Sequence, residues 1–322
     1  MPPTADIQWW HWAVFILVIL FFLALDLGVF HRRAHVVKFG EALMWTGVWF
    51  SFAMLFAWGL RPWLGSEQAL QFLTGYIIEL SLSMDNVFVI AMIFAYFRVP
   101  AAYQHRVLFW GIMGALIMRG VMIGVGSALI ARFHWMLYIF GAFLVVTGAK
   151  MLFAKEEGVH PEKNPILKLT RRLFSLSQDF DETRFITRQE GRRTLTPLAL
   201  VLVMVETTDL IFALDSIPAI FAVTTDPFIV FTSNVCAILG LRSLYFVLAG
   251  ALAYFRFLKY GLSIVLVFVG LKMLLPEHWR MSTSHALIVV VGILFVAIAV
   301  SLAVAWREKY LEKRKGNAAK LD

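Results

Sequence analysis

Nine times along the chain the sequence runs through about 20 mostly apolar residues, the length an α-helix needs to cross the hydrocarbon core of a bilayer. The windows lie at roughly 9–30, 41–60, 69–97, 107–130, 134–153, 196–222, 228–253, 258–276 and 284–306. Inside lipid every backbone amide and carbonyl must be satisfied within the protein, so long apolar runs of this kind become helices. The expectation is an all-α polytopic membrane protein with about nine transmembrane helices. Composition agrees, since 60% of residues are hydrophobic and 16% charged, against about 25% charged in a soluble domain. That is too little polar surface to coat a chain of 322 residues in water. A secreted scaffold, a nucleic-acid binder and a disordered chain are excluded together. The single cysteine, Cys236, lies in an apolar stretch, so neither an internal disulfide nor a thiolate metal site is expected.

Lysine and arginine suggest an orientation. With the N-terminus outside and strict alternation, inside segments hold 22 of the 29 basic residues. They are Arg32, Arg33 and Lys38, then Arg98 and Arg106, nine residues in 154–195, then Arg256 and Lys259, and six in the tail from Arg307. Outside segments hold Arg61, Arg132 and Arg280. Basic residues collect on the cytoplasmic face, so we expect an inner-membrane protein with a cytoplasmic C-terminus. Trp9, Trp10 and Trp12 form an aromatic belt at the first span. That span is too long for a removable signal peptide and lacks a basic leader and cleavage site. Segment 154–195 reads as a solvated cytoplasmic connection, in which Leu167–Leu176 could form a short amphipathic helix with Lys168, Arg171 and Arg172 near anionic headgroups.

The chain also repeats itself. Glu79-Leu-Ser-Leu-Ser-Met-Asp85-Asn86-Val aligns with Asp209-Leu-Ile-Phe-Ala-Leu-Asp215-Ser216-Ile. Gly114-Ala-Leu-Ile-Met-Arg119 aligns with Ala237-Ile-Leu-Gly-Leu-Arg242, and Gly148-Ala-Lys150 with Gly270-Leu-Lys272. Each copy spans three helices, an odd number, so the second copy enters from the opposite side of the membrane. Secondary transporters are built this way, with the substrate site near the midplane between the copies. The organisation expected is two N-terminal helices in 1–68, a first three-helix unit in 69–153, the loop 154–195, a second unit in 196–276, and a final helix with a basic tail in 277–322.

Charges inside spans are costly, about 2.5–3.5 kcal/mol each even on a lenient insertion scale. Six acids lie there, Asp26, Glu79, Asp85, Glu206, Asp209 and Asp215, with four bases, Arg119, Lys150, Arg242 and Lys272. They must face a shared polar interior, and pairing leaves two carboxylates in excess, a deficit a cation could fill. Helix periodicity puts Glu79 on one face with Asn86, and Asp209 with Ser216, whereas Asp85 and Asp215 point toward a second neighbour. Pro218 removes the amide that would bond the Leu214 carbonyl. These ligands are all oxygens, which suits Mg²⁺, Ca²⁺ or Mn²⁺ and argues against zinc or copper. Glu206 reads equally as ligand or proton carrier, and Asp26 as ligand or charge partner. Arg119 and Arg242 read as partners of the acids, or as the mobile charge that fills an empty site. Lys150 and Lys272 read as charge-balancing or as snorkelling from span ends.

At Leu73-Thr-Gly-Tyr-Ile-Ile-Glu79, Ser83-Met-Asp85-Asn86-Val-Phe-Val and Phe212-Ala-Leu-Asp215-Ser-Ile-Pro218-Ala-Ile-Phe-Ala-Val-Thr-Thr-Asp226-Pro-Phe-Ile the sequence resembles the TerC family of integral membrane proteins, most closely its Alx-like branch. The resemblance covers nearly the whole chain. It implies nine transmembrane helices, kinship with LysE-type exporters, and export of Mn²⁺ along a path lined by Glu79, Asp85, Asn86, Asp209, Asp215 and Ser216. No enzymatic activity and no bound cofactor are expected. Walker-type nucleotide motifs are lacking, which leaves exchange, and protons are the expected coupling ion. The rival reading is an assembly or insertion factor that metalates or places other membrane or secreted proteins.

Overall fold

The computed structural model describes residues 7–25, 39–153, 165–177, 179–189, 192–249, 257–276 and 281–318. Asp26, Arg32, Arg33, Lys38, Arg256, His278 and Arg280 lie outside the described residues. Among the described residues the fold is all-α apart from one small hairpin. Its helices are α1 (Trp9–Leu25), α2 (Phe39–Trp63), α3 (Ser66–Tyr96), α4 (Ala101–Arg132), α5 (Met136–Phe153), α6 (Pro165–Leu173), α7 (Pro197–Phe221), α8 (Pro227–Ala249), α9 (Leu258–Leu274) and α10 (Thr283–Ala318).

Each of the nine expected spans coincides with a helix. Seven of these, α2 to α5, α7, α8 and α10, are long and apolar enough to cross a membrane. The other two, α1 and α9, have 17 described residues each, short of the roughly 20 a perpendicular span needs. α9 also carries Lys259 and Lys272, and it is buried along Leu262, Val265, Leu266 and Val269. Large apolar side chains such as Trp58, Ile117, Ile288 and Phe295 stand more than 60% exposed, a surface suited to lipid and not to water.

α8 forms the centre, with α3, α4 and α2 packed around it, and 94% of its apolar window is buried. α7 lies against α3 and α4, α5 against α9, and α10 covers α9 and α3. Glycines let α5 and α9 approach closely. A Cβ on Gly148 would stand 2.8 Å from the Ser263 carbonyl oxygen, and one on Gly270 would stand 2.7 Å from that of Gly141. Small residues at such seams are how helices associate in lipid, where apolar burial alone offers little.

The polar segment is more ordered than a plain connection. β1 (Ile186–Gln189) and β2 (Arg192–Leu195) pair antiparallel, Ile186 opposite Leu195. The amphipathic helix foreseen at Leu167–Leu176 appears as α6, beginning and ending slightly earlier. Leu167 is buried against Leu198, Val201 and Met204 of α7, while Ile166, Leu169 and Leu173 are exposed. Arg106 at the start of α4 donates to the Thr183 hydroxyl at 2.7 Å and lies over the Phe185 ring. The hairpin thus marks one membrane side, where α4 and α7 begin.

Candidate functional site

The polar centre forms where α3 and α7 cross. Arg119, brought in by α4, is 1% exposed. Its Nε and Nη2 form a fork onto Asp209, donating to Oδ2 at 3.3 Å and Oδ1 at 3.1 Å. Its Nη1 is shared between Glu79 Oε1, the Ser216 hydroxyl at 3.1 Å and Asn234 Oδ1 at 3.4 Å. Asn86 Nδ2 donates to Asp209 Oδ1 at 3.2 Å, Asn234 Nδ2 to Glu79 Oε2 at 3.0 Å, and the Ser83 hydroxyl to Glu79 Oε1 at 3.4 Å. Asn86 Oδ1 is buried with no hydrogen-bond partner.

These contacts come in reciprocal pairs. Asp209 and Ser216 are the repeat counterparts of Glu79 and Asn86. Asn86 of the first copy bonds Asp209 of the second, and Ser216 of the second accepts from the same Arg119 Nη1 as Glu79 of the first. The α5–α9 seam follows the same rule, because Gly148 meets Ser263 while its counterpart Gly270 meets Gly141, the counterpart of Ser263. Contacts that pair rising numbers on one helix with falling numbers on its counterpart require equivalent helices to run antiparallel. Copies related by an axis along the membrane normal would run parallel; antiparallel counterparts require an axis in the membrane plane. The repeat is therefore inverted.

The symmetry is broken beside Asp209. The counterpart of Asn234 is Gly111, so Asp209 lacks the amide that Glu79 receives. A cavity of about 20 Å³ lies there, lined by Gly111, Val205, Asp209 and Arg242 among others. It lies toward the hairpin side, the side on which Tyr245 at the end of α8 donates to Gln104 at the start of α4 at 3.1 Å. On the opposite side the matching space is filled. A Cβ on Gly75 would stand 2.8 Å from the Ser233 hydroxyl, and Ile220 is fully buried.

Glu206 is half-buried on α7, beside Asp209. Its carboxylate lies so close over the Gly114 backbone that a Cβ there would overlap it at 2.0 Å. Asp85 and Asp215, also half-buried, form no hydrogen bond to the Arg119 group among the described residues. Asp85 interacts electrostatically with Lys259 of α9, and Asp215 faces Thr147 of α5. Arg242 is buried, Lys272 half-buried and Lys150 exposed at the end of α5. Among the described residues no three of His, Cys, Asp and Glu stand close enough together to hold a metal ion.

The sequence reading missed Asn234, Ser83, Thr147 and the role of Lys259. Thr232-Ser233-Asn234, a polar triplet within an apolar window, was the available signal for Asn234. Alignment of the repeats pointed away from it, because its counterpart is glycine. Lys259 was counted with the loop bases, since it stands one residue inside a span.

The sequence matches the family model described as the integral membrane protein TerC family over residues 64–312. It is 54% identical to an uncharacterized membrane protein of Myxococcus xanthus over 291 residues, covering 90% of this chain and 91% of that one. It is 46% identical over 314 residues to an Escherichia coli K12 protein provisionally named membrane-bound redox modulator Alx, covering 95% and 97%. A Rickettsia felis membrane protein is 38% identical over 90% of this chain. No solved structure matches.

Proposed function

The chain belongs to the TerC family of integral membrane proteins, and from that premise we propose that it exports divalent metal cations, Mn²⁺ first among them, from the cytoplasm across the inner membrane. The observation that carries this reading is the pair Glu79 and Asp209, repeat counterparts buried at one crossing and sharing a single guanidinium. Two carboxylates against the one guanidinium that bonds them leave that hydrogen-bonded group a formal negative charge. A doubly charged ion neutralises it better than any side chain can.

Arg119 holds the place between the acids that such an ion would take. The ion would arrive past Asp85 or Asp215, repeat counterparts outside the Arg119 group, and displace the guanidinium. Asn86 Oδ1, buried without a partner, supplies a further oxygen. Carboxylates with amide and hydroxyl oxygens are the ligand chemistry of hard cations. The two units would rock about the α5–α9 seam to expose the site alternately, with the N-terminus outside and the hairpin side cytoplasmic.

Moving a cation out against an inside-negative potential costs about 2.3 kcal/mol per charge per 100 mV. Proton antiport supplies that work in our reading, with Glu206 or Glu79 as the carrier. The relatives' provisional name speaks of redox. The one cysteine here, Cys236, is buried in the core, so any redox effect would pass through the transported metal and not through a dithiol of this chain.

The test is cytoplasmic manganese content in cells lacking their own exporter and supplied with wild type, Asp85→Asn or Asp215→Asn at equal membrane abundance. The reading expects lowered manganese with wild type and high manganese with both variants. Unchanged content with wild type would overturn it.

A further inference from the structure

Arg119 and Arg242 are repeat counterparts, yet the structure uses them differently. Arg119 clasps both carboxylates, while Arg242 lines the small cavity beside Asp209. An inverted repeat whose copies adopt unlike arrangements contains a second state, obtained by letting each copy take the arrangement of the other. We infer that Arg242 is the second of two alternating latches, and that it takes Glu79 and Asp209 from Arg119 when the site turns to face the other side.

The exchange can be followed residue by residue. Glu79 and Asp209 are counterparts, so exchanging the copies returns the same acid pair to the centre. Arg119 passes its place to Arg242, and Ser216, which accepts from Arg119 at 3.1 Å, passes its place to Asn86. In the second state Asn86 therefore offers the arriving guanidinium its carbonyl oxygen, the atom that is buried without a partner in the present state. The cavity moves as well. Its lining residues Ile90, Val205 and Asp209 have the counterparts Ile220, Gly75 and Glu79, so the opening appears on the side away from the hairpin. With either latch closed one guanidinium faces two acids, and the central charge is the same in both states. Only passage between them leaves the acids open to a cation. The arginines thereby act as a tethered counter-charge that lets the empty protein return without cargo.

This inference rests on the carrier reading for its purpose, but its test needs no transport. Single reporter cysteines at Ile90 and at its counterpart Ile220 are placed in a Cys236→Ala background. They are labelled with a small thiol reagent in metal-free membranes containing a chelator. Arg119→Gln should leave Arg242 as the only latch, raising labelling at position 220 and lowering it at 90. Arg242→Gln should do the reverse. We expect the ratio of the two rates to change by about tenfold, within the usual range for conformational coupling. Where Arg119→Gln fails to accumulate, the charge-matched double variant Arg119→Gln with Glu79→Gln replaces it and should shift labelling in the same direction. Equal shifts in the two arginine variants, or no shift in either, would overturn the latch. Opposite shifts without Mn²⁺ efflux by the parent protein would keep the latch and reject the cargo, so the two failures can be told apart.

Discussion

Substituting Gly270 by alanine isolates the packing of the seam about which the units are proposed to move. A Cβ at Gly270 would lie 2.7 Å from the Gly141 carbonyl oxygen and 2.9 Å from both the backbone nitrogen and Cγ2 of Val145. Ordinary contact begins near 3.4 Å, so α5 and α9 must part by about 0.5–0.7 Å. The obstructing atoms include backbone, which cannot swing aside. A radial gap of that size forfeits about a quarter of each contact's attraction along the seam, where Leu144, Leu266 and Val269 are buried. Overpacking of this kind costs about 1–3 kcal/mol. Alanine also favours helix over glycine by about 1 kcal/mol, and Gly124→Ala controls for that gain, because nothing lies within 4 Å of its added Cβ. Both variants gain the propensity, so the overpacking term alone separates them. In thermal unfolding of purified protein in detergent, Gly270→Ala should melt about 2–12 °C below Gly124→Ala. Equal midpoints would refute the reasoning and with it the close α5–α9 contact.

Three further outcomes follow from the polar centre. Arg119→Gln strands two buried carboxylates and should destabilise by about 3–5 kcal/mol; the double variant with Glu79→Gln should recover part of that loss, read as denaturation midpoints in detergent. Gly114→Ala pushes only the flexible end of Glu206, so its midpoint should stay near that of Gly124→Ala while Mn²⁺ efflux changes its dependence on the pH gradient. Unaltered pH dependence would argue against Glu206 as the proton carrier. Dissipating the proton gradient with an ionophore in everted vesicles should abolish uphill Mn²⁺ movement by wild type, and persistent uphill movement would refute antiport.

The parts of the fold fixed by solvent were readable from sequence, and those fixed by side-chain geometry were not. Apolar length marked the helices, because lipid tolerates no other long backbone arrangement. The ordered charges Glu79, Asp85, Arg119 and Lys150 marked the repeat, because each is too costly in lipid to recur by chance. Seven-residue spacing put Glu79 with Asn86 and Asp209 with Ser216 on shared faces, where Asn86 bonds Asp209 and Ser216 shares the Arg119 guanidinium with Glu79 across the α3–α7 crossing. Which arginine fills the crossing was not legible. Arg119 and Arg242 have equivalent sequence contexts, and the surroundings of the two acids differ only in detail, Asn234 beside Glu79 and Gly111 in the cavity beside Asp209. The electrostatic interaction of Asp85 with Lys259 depends on how α9 lies against α3, a matter of packing. The hairpin escaped notice because its strands are four residues long and strongly basic, with no hydrophobic alternation to reveal them.

The most direct measurement uses purified protein in liposomes enclosing a dye quenched by Mn²⁺, compared with Glu79→Gln, Asp85→Asn and Asp215→Asn at matched protein content. The account predicts Mn²⁺-dependent quenching with wild type and quenching no greater than in empty liposomes with each variant. Wild-type protein that quenches no faster than empty liposomes would contradict it, as would variants that carry Mn²⁺ at the wild-type rate.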